Sequence, residues 1–223
     1  MLEEIFSQGY NSTELAIALL SVLIVSIFSL AYHEYGHALV ADSLGDPTPR
    51  QQGALTLDPF PHLRFMSVVF LILFGFGWST SQTRPDLIPG NPRRAFILVA
   101  IAGPLANLLM ASLFALPYQL IEFGLLDGAE FSASMYAYFF RTGIYINILL
   151  LTFNLIPLPP LDGFMILVAI SPAPVANFLI KFGNSNLGGY ALIAFIVLLP
   201  LAGYDILGFL NPIVDSIILF LSG

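Results

Sequence analysis

Residues 15–37 read "LAIALLSVLIVSIFSLAYHEYGH". From Leu15 to Tyr32 the run carries no charge. As a helix rising about 1.5 Å per residue it reaches roughly 27 Å, close to the thickness of a bilayer's hydrocarbon core. Its last five residues place two of the chain's three histidines and a glutamate directly behind that apolar run. No proline follows before Pro47, and "ALVA" after His37 stays apolar as far as Asp42. The pattern therefore predicts one helix from Ser12 to Leu44, with the polar cluster in its final third.

Residues i and i+4 lie on one helical face, with Cβ atoms about 5–6 Å apart. The imidazoles of His33 and His37 can then share one zinc ion. Glu34, at the next position, can reach a water at the metal instead of the metal itself, as in H-E-x-x-H hydrolases. The plainer reading makes the histidines satisfied core residues and Glu34 an interfacial carboxylate. Burying three such groups on a membrane helix is costly unless they pair or bind something, and this weighs against it.

Composition sets the same frame. The chain is 57% hydrophobic and 9% charged, with a mean hydropathy of +0.87, far outside the soluble globular range. Its N-terminus begins "MLEEIFSQGYNSTE", with glutamates where a secretory signal needs basic residues, so the first apolar segment is expected to be retained as a span. With no cysteine, disulfides and thiolate ligands are excluded, and any metal is held by nitrogen and oxygen. The net charge of −7 and the lack of a basic or aromatic-basic patch argue against nucleic acid as a partner.

Further along, "GDPTPRQQGALTLDPFPHLR" predicts an irregular loop or short hairpin with a strand-like "ALTL". "FMSVVFLILFGFGW" has an apolar part short for a span and ends in Gly75 and Gly77, which points to a re-entrant segment, with a true hairpin span as the alternative. Clear spans are expected from Ala95 to Ile121 and from Ser134 to Ile156. "SPAPVANFLIKFGNSN" reads as an interfacial connector, and 188–221 as one kinked span or a hairpin broken near Pro200 and Gly203. The fold class expected is an all-α polytopic membrane protein, one domain over residues 1–223. It is a helical bundle of about four to six membrane segments with a re-entrant or β-hairpin-like loop after the first.

A catalytic zinc takes three protein ligands and keeps one position open. Of the downstream carboxylates, Glu122 and Glu130 flank the acidic loop at the opposite end of a span, and Asp205 and Asp215 lie in the ambiguous C-terminal segment. Asp162 stands apart. It follows prolines 157, 159 and 160, which forbid regular helical hydrogen bonding, and precedes Gly163. Broken backbone at membrane depth is tolerated where it lines a buried cavity. A helix N-cap is the alternative role for Asp162, compatible with ligation.

"HEYGH" on an early span together with "FNLIPLPPLDG" on a later one resembles the site-2 protease family of intramembrane zinc metalloproteases. With "GDPTPRQQGALTLDPFPH" and "AGPLANLLM" between them, the resemblance is to the small branch without appended soluble domains and covers residues 13–170. It implies one zinc per chain held by His33, His37 and Asp162, and Glu34 as general base for cleaving peptide bonds in or beside the transmembrane segments of membrane-protein substrates. It also implies that Asn154 helps to position substrate, and that the glycine-bearing loop around Gly75 and Gly77 lies near the active site. A strand edge for an extended substrate is one reading of that loop, and a tight turn that its glycines permit is the other. Asn107 is a further substrate-binding candidate; interhelical hydrogen bonding is the alternative for both asparagines and the favoured one for Asn107. His62 reads as a loop residue. This chain carries Ala54 where relatives tend to have arginine, and "STSQTRPD" where they are richer in proline, differences that bear on substrate preference.

Three histidines are too few for a membrane di-iron oxygenase. A non-hydrolytic zinc-binding or zinc-transporting membrane protein is the surviving alternative. Arg50, Arg64, Arg84, Arg93 and Arg94 make up five of the chain's seven basic residues, all between Asp42 and Arg94. By the positive-inside bias this stretch is expected in the cytosol, with the N-terminus outside and the active site toward the cytosol of a plasma membrane. Nothing in the pattern indicates an oligomer.

Overall fold

The computed structural model describes residues 11–62, 83–125, 130–201, 203 and 206–222. Helix α1 spans Ser12–Leu44, with the bounds read from its apolar pattern. Its free N-terminal amides are met by a capping box. The Asn11 side chain accepts from the amides of Thr13 and Glu14, each at 3.0 Å, and the Glu14 carboxylate accepts from the Asn11 amide at 2.8 Å. Gly45 ends it at φ 108°, a conformation glycine adopts without strain.

The loop that follows holds a short helix α2, Thr48–Gln51, and 3-10 turns at Phe60–His62 and Pro85–Leu87. Among the described residues there is no strand, and the "ALTL" stretch forms bends. Local side chains take the backbone instead: Thr56 Oγ1 accepts from the Asp58 amide and Asp58 from that of Phe60, both at 3.1 Å.

Helix α3 spans Pro92–Glu122 and starts three residues before the predicted Ala95, because Asn91 caps the amides of Arg93 and Arg94 and Pro92 suits the first helical position. Helix α4 spans Glu130–Asn154 and stops two residues short of the predicted Ile156, ahead of the prolines at 157, 159 and 160. Then come α5 (Asp162–Ile170), α6 (Ala173–Gly183), α7 (Asn186–Leu201) and α8 (Ile206–Ser222). The last two resolve the ambiguous 188–221 stretch into separate helices, with Gly203 between them at φ 83°.

Helices α1, α3 and α4 pack mutually, α5 lies on α3, and α8 lies on α3 and α4. Ala111, Ala115, Ile144, Ile148, Leu149, Phe153, Leu161, Leu192 and Val214 form one buried cluster joining α3, α4, α7 and α8. Polarity runs inward. Ser26, Ser29, Asn107 and Asn147 are buried, whereas Leu105, Leu109, Leu113 and Leu116 of α3 are each at least 55% exposed along one stripe. In water such a stripe is an association liability; in a bilayer it is the lipid-facing surface. α1 and α3 are long and apolar enough to cross a membrane, and only 44% and 39% of their most apolar windows is buried, unlike the mostly buried core helix of a soluble protein. Residues 65–77, with Gly75 and Gly77, lie outside the described residues, as do Asp205 and part of the acidic loop.

At the end of α1, Arg50 forks onto Asp42 at 3.0 and 2.7 Å. Asp46 is fully buried and accepts from the amides of Thr48 and Arg84, which ties the segment before α3 to the end of α1. Replacing Asp46 with alanine orphans two amides and is expected to lower stability by about 2 kcal/mol. Denaturation in detergent micelles measures it; an unchanged midpoint contradicts this tie.

Candidate metal centre

The helical repeat places His33 and His37 one turn apart on α1, both 3% exposed, with their rings edge-to-face at 4.7 Å and their Nε2 atoms 3.1 Å apart. The third group arrives from beyond the end of α4. After α4 the backbone turns from Leu155 to Leu161, and α5 begins at Asp162, with Leu161 and not Asp162 in the cap position. Asp162 is the first residue of the helix, and its carboxylate turns to the histidines of α1. Gly163 lets this turn close against α4: a Cβ there would lie 2.2 Å from the Leu155 carbonyl oxygen. Asp162 Oδ2 then sits 3.1 Å from His33 Nε2, and Oδ1 sits 3.3 Å from His37 Nε2.

The donor atoms of these three buried residues lie within 4.8 Å of one another, a group able to hold a metal ion. Hydrogen bonding orients them. His37 Nδ1 lies 2.7 Å from the Val99 carbonyl oxygen, which only accepts, so the ring proton is on Nδ1. His33 Nδ1 donates to Asn107 Oδ1 at 2.6 Å. In each neutral ring Nε2 therefore carries a lone pair aimed at the other ring and at Asp162. Asp162 Oδ2 is buried and receives no hydrogen bond. Lone pairs and a carboxylate converging in a buried space repel one another unless a cation lies between them. Zinc donors about 2.0–2.1 Å from a tetrahedral centre lie roughly 3.3 Å apart, close to the separations here, so the residues fit the ion.

α3 forms the floor of the centre. Val99, Gly103 and Asn107 recur every four residues on one face; the first and last hold the histidines, and the middle one leaves room for them. A Cβ at Gly103 would lie 2.3 Å from His37 Nε2 and 2.7 Å from His33 Cε1. Gly36 does the same between the helices, since a Cβ there would lie 2.8 Å from the Ala102 carbonyl oxygen. Glu34 is buried, 5% exposed, one residue along α1 from His33.

Of the other sequence candidates, Asn154 closes α4 at 6% exposure and donates to the Leu150 carbonyl oxygen at 2.9 Å. Asn107 is fully buried and spends its oxygen on His33 and both amide hydrogens on Ser29 and Asn147, the interhelical bonding favoured for it. Gly75 and Gly77 are outside the described residues, and His62 ends a 3-10 turn. Glu122 is exposed at the other end of α3, ~28 Å along the helix from Gly103, and does not reach the centre. Sequence reasoning missed Gly103, Val99, Asn147 and Ser29. The four-residue spacing of Val99, Gly103 and Asn107 was available as a signal, but nothing local connects it to α1.

A helical bundle enclosing one His-His-Asp centre, with a buried glutamate beside it, defines a mononuclear metalloprotein with its donors on membrane-type helices. No family model matches the chain, and no solved structure matches it. Curated relatives do. The chain is 38% identical over 206 residues to "Putative zinc metalloprotease YwhC" of Bacillus subtilis, covering 88% of this chain and 89% of that protein. It is 31% identical over 168 residues to "Putative zinc metalloprotease Rip2" of Mycobacterium tuberculosis, covering 70% of this chain and 60% of the relative. The Rip2 of Mycolicibacterium smegmatis is likewise 31% identical, over 172 residues. The chain belongs to the site-2 protease family of zinc metalloproteases.

Gly103→Ala places a methyl group against both rings. Purified in detergent, this variant is expected to keep its helical circular dichroism and lose most of the zinc that elemental analysis finds in the wild type. Full zinc content in Gly103→Ala contradicts the packing described.

Proposed function

We propose that this chain is an intramembrane endopeptidase that cleaves peptide bonds within or beside transmembrane segments of membrane-protein substrates. The observation that carries the reading is the meeting of His33, His37 and Asp162 in a buried centre with the Glu34 carboxylate beside it, on helices whose outward faces are apolar. His33, His37 and Asp162 act as the ligands. Zinc held there supplies a Lewis acid that polarises a carbonyl and acidifies water. Glu34 takes the proton from the attacking water and delivers it to the leaving amine. Asn154, at the rim where α4 breaks, contacts the substrate backbone, while Asn107 serves His33. A helical substrate shields its own carbonyls, so it is unwound before cleavage.

The chain is a multi-pass protein of the plasma membrane, with four to six membrane segments, its N-terminus outside and its centre toward the cytosol. Arginine distribution supports this orientation. The Asp46–Arg84 bond adds to that support, since it gathers Arg50, Arg84, Arg93 and Arg94 at the end of the bundle where α1 finishes and α3 begins. His33, eleven residues before Leu44, lies toward that same end.

Two experiments test the proposal. Glu34→Gln is expected to bind zinc as the wild type does while cleavage of single-span substrates, mapped by mass spectrometry, falls at least about 100-fold. Undiminished cleavage rejects Glu34 as the base; zinc binding with no cleavage by the wild type across a broad panel favours a non-hydrolytic zinc protein. Because the chain has no cysteine, single cysteines at Ser12, Ser81 and Ser132 report topology directly. A membrane-impermeant thiol reagent is expected to label positions 12 and 132 on intact cells, and 81 only after the cells are opened. Outside labelling at 81 overturns the orientation.

A further inference from the structure

His33 owes its proton position to an amide, and an amide can be turned around. Asn107 presents Oδ1 to His33 Nδ1 at 2.6 Å only while its Nδ2 points the other way. Turned by 180°, it would offer N–H to Nδ1, the ring proton would move to Nε2, and the nitrogen facing His37 and Asp162 would lose its lone pair. Two acceptors hold the amide in place: the Ser29 carbonyl oxygen at 3.2 Å and Asn147 Oδ1 at 3.0 Å. Asn147 is an amide too, and the same question arises one step further out. Its Nδ2 donates to the Gly143 carbonyl oxygen and to Ser29 Oγ, each at 2.8 Å. A carbonyl oxygen only accepts, so Asn147 has one orientation, and Oδ1 is the atom it shows to Asn107. All three side chains, Ser29, Asn107 and Asn147, are 0% exposed, so water does not compete for these bonds.

We propose that Asn147, on α4, is a positioning residue for the metal centre: with Ser29 it fixes the direction of the Asn107 amide, and through it the tautomer in which His33 can bind zinc. The chain of bonds begins at the Gly143 carbonyl oxygen, passes Asn147 and Asn107 and ends on His33, so α4 acts on the centre through Asn107. His37 needs no such device, because the Val99 carbonyl oxygen cannot reverse. The proposal rests on His33 being a zinc ligand and does not require that the protein cleave anything.

The test is a double-mutant cycle read by zinc affinity alone, in competition with a chromophoric chelator. Asn147→Leu removes the acceptor at similar size and is expected to weaken zinc binding about 10–100-fold, the usual effect of losing a ligand's outer partner. Asn107→Asp shows His33 a carboxylate, which accepts whichever way it is turned. In that background Asn147→Leu is expected to change zinc affinity less than about threefold. Equal losses in both backgrounds make Asn147 a packing residue and overturn the proposal, as does an unchanged affinity in the Asn147→Leu single variant. Should Asn147→Leu fail to fold, nitrogen NMR of the histidines in the zinc-free wild type decides: the ring proton of His33 is expected on Nδ1, and a proton on Nε2 overturns the assignment. A wild type that shows this signature and binds zinc but cleaves no substrate leaves this inference standing while the proposed function fails.

Discussion

Three lone-pair-bearing groups meet in a buried space, and the rest of the molecule is arranged around the cost of that meeting. His33, His37 and Asp162 each approach within 3.1–3.3 Å of another member of the set, and in the neutral rings the histidine nitrogens that face inward carry lone pairs. Such an arrangement is unfavourable by itself and favourable around a divalent cation. The ring proton of each histidine is spoken for on the far side, by a backbone carbonyl for His37 and by an amide oxygen for His33. Outer partners of this kind fix ring orientation and raise ligand basicity.

Holding these groups in place takes close backbone approach from three directions. Gly36 lets α1 touch α3, Gly103 lets α3 lie flat beneath both imidazoles, and Gly163 lets the first turn of α5 press against the end of α4. At each of the three a single methyl group would meet atoms at less than 3.0 Å, the nearest being a ring nitrogen at Gly103 and a backbone oxygen at Gly36 and at Gly163. Helix association in lipid depends on such small residues, because lipid tails leave little hydrophobic drive between helices. The same geometry here serves packing and the centre together.

The inward polarity follows from the same setting. Ser29, Asn107 and Asn147 satisfy one another between α1, α3 and α4, while leucines line the outer face of α3. In water the preference would run the other way. Within lipid, buried polar groups paired across helices add to cohesion, and here their direction also decides which nitrogen of His33 is free.

Much of this was legible in the order of residues. The extent of α1 follows from the charge-free run from Leu15 to Tyr32 and the absence of proline before Pro47, and the pairing of His33 with His37 follows from 3.6 residues per turn, both local matters. Prolines at 157, 159 and 160 mark the break that delivers Asp162, and elimination among the few carboxylates points to it. Of the two readings of the "ALTL" stretch, loop or short hairpin, the loop holds, because strand character depends on a partner and local side chains satisfy the backbone first. What only the tertiary structure decided is everything that crosses between helices. That α3 supplies Val99, Gly103 and Asn107 beneath the histidines, and that Asn147 from α4 sets the direction of Asn107, depends on the relative rotation of packed helices. Rotation is settled by side chains far apart in the chain meeting in space, and no local pattern carries it.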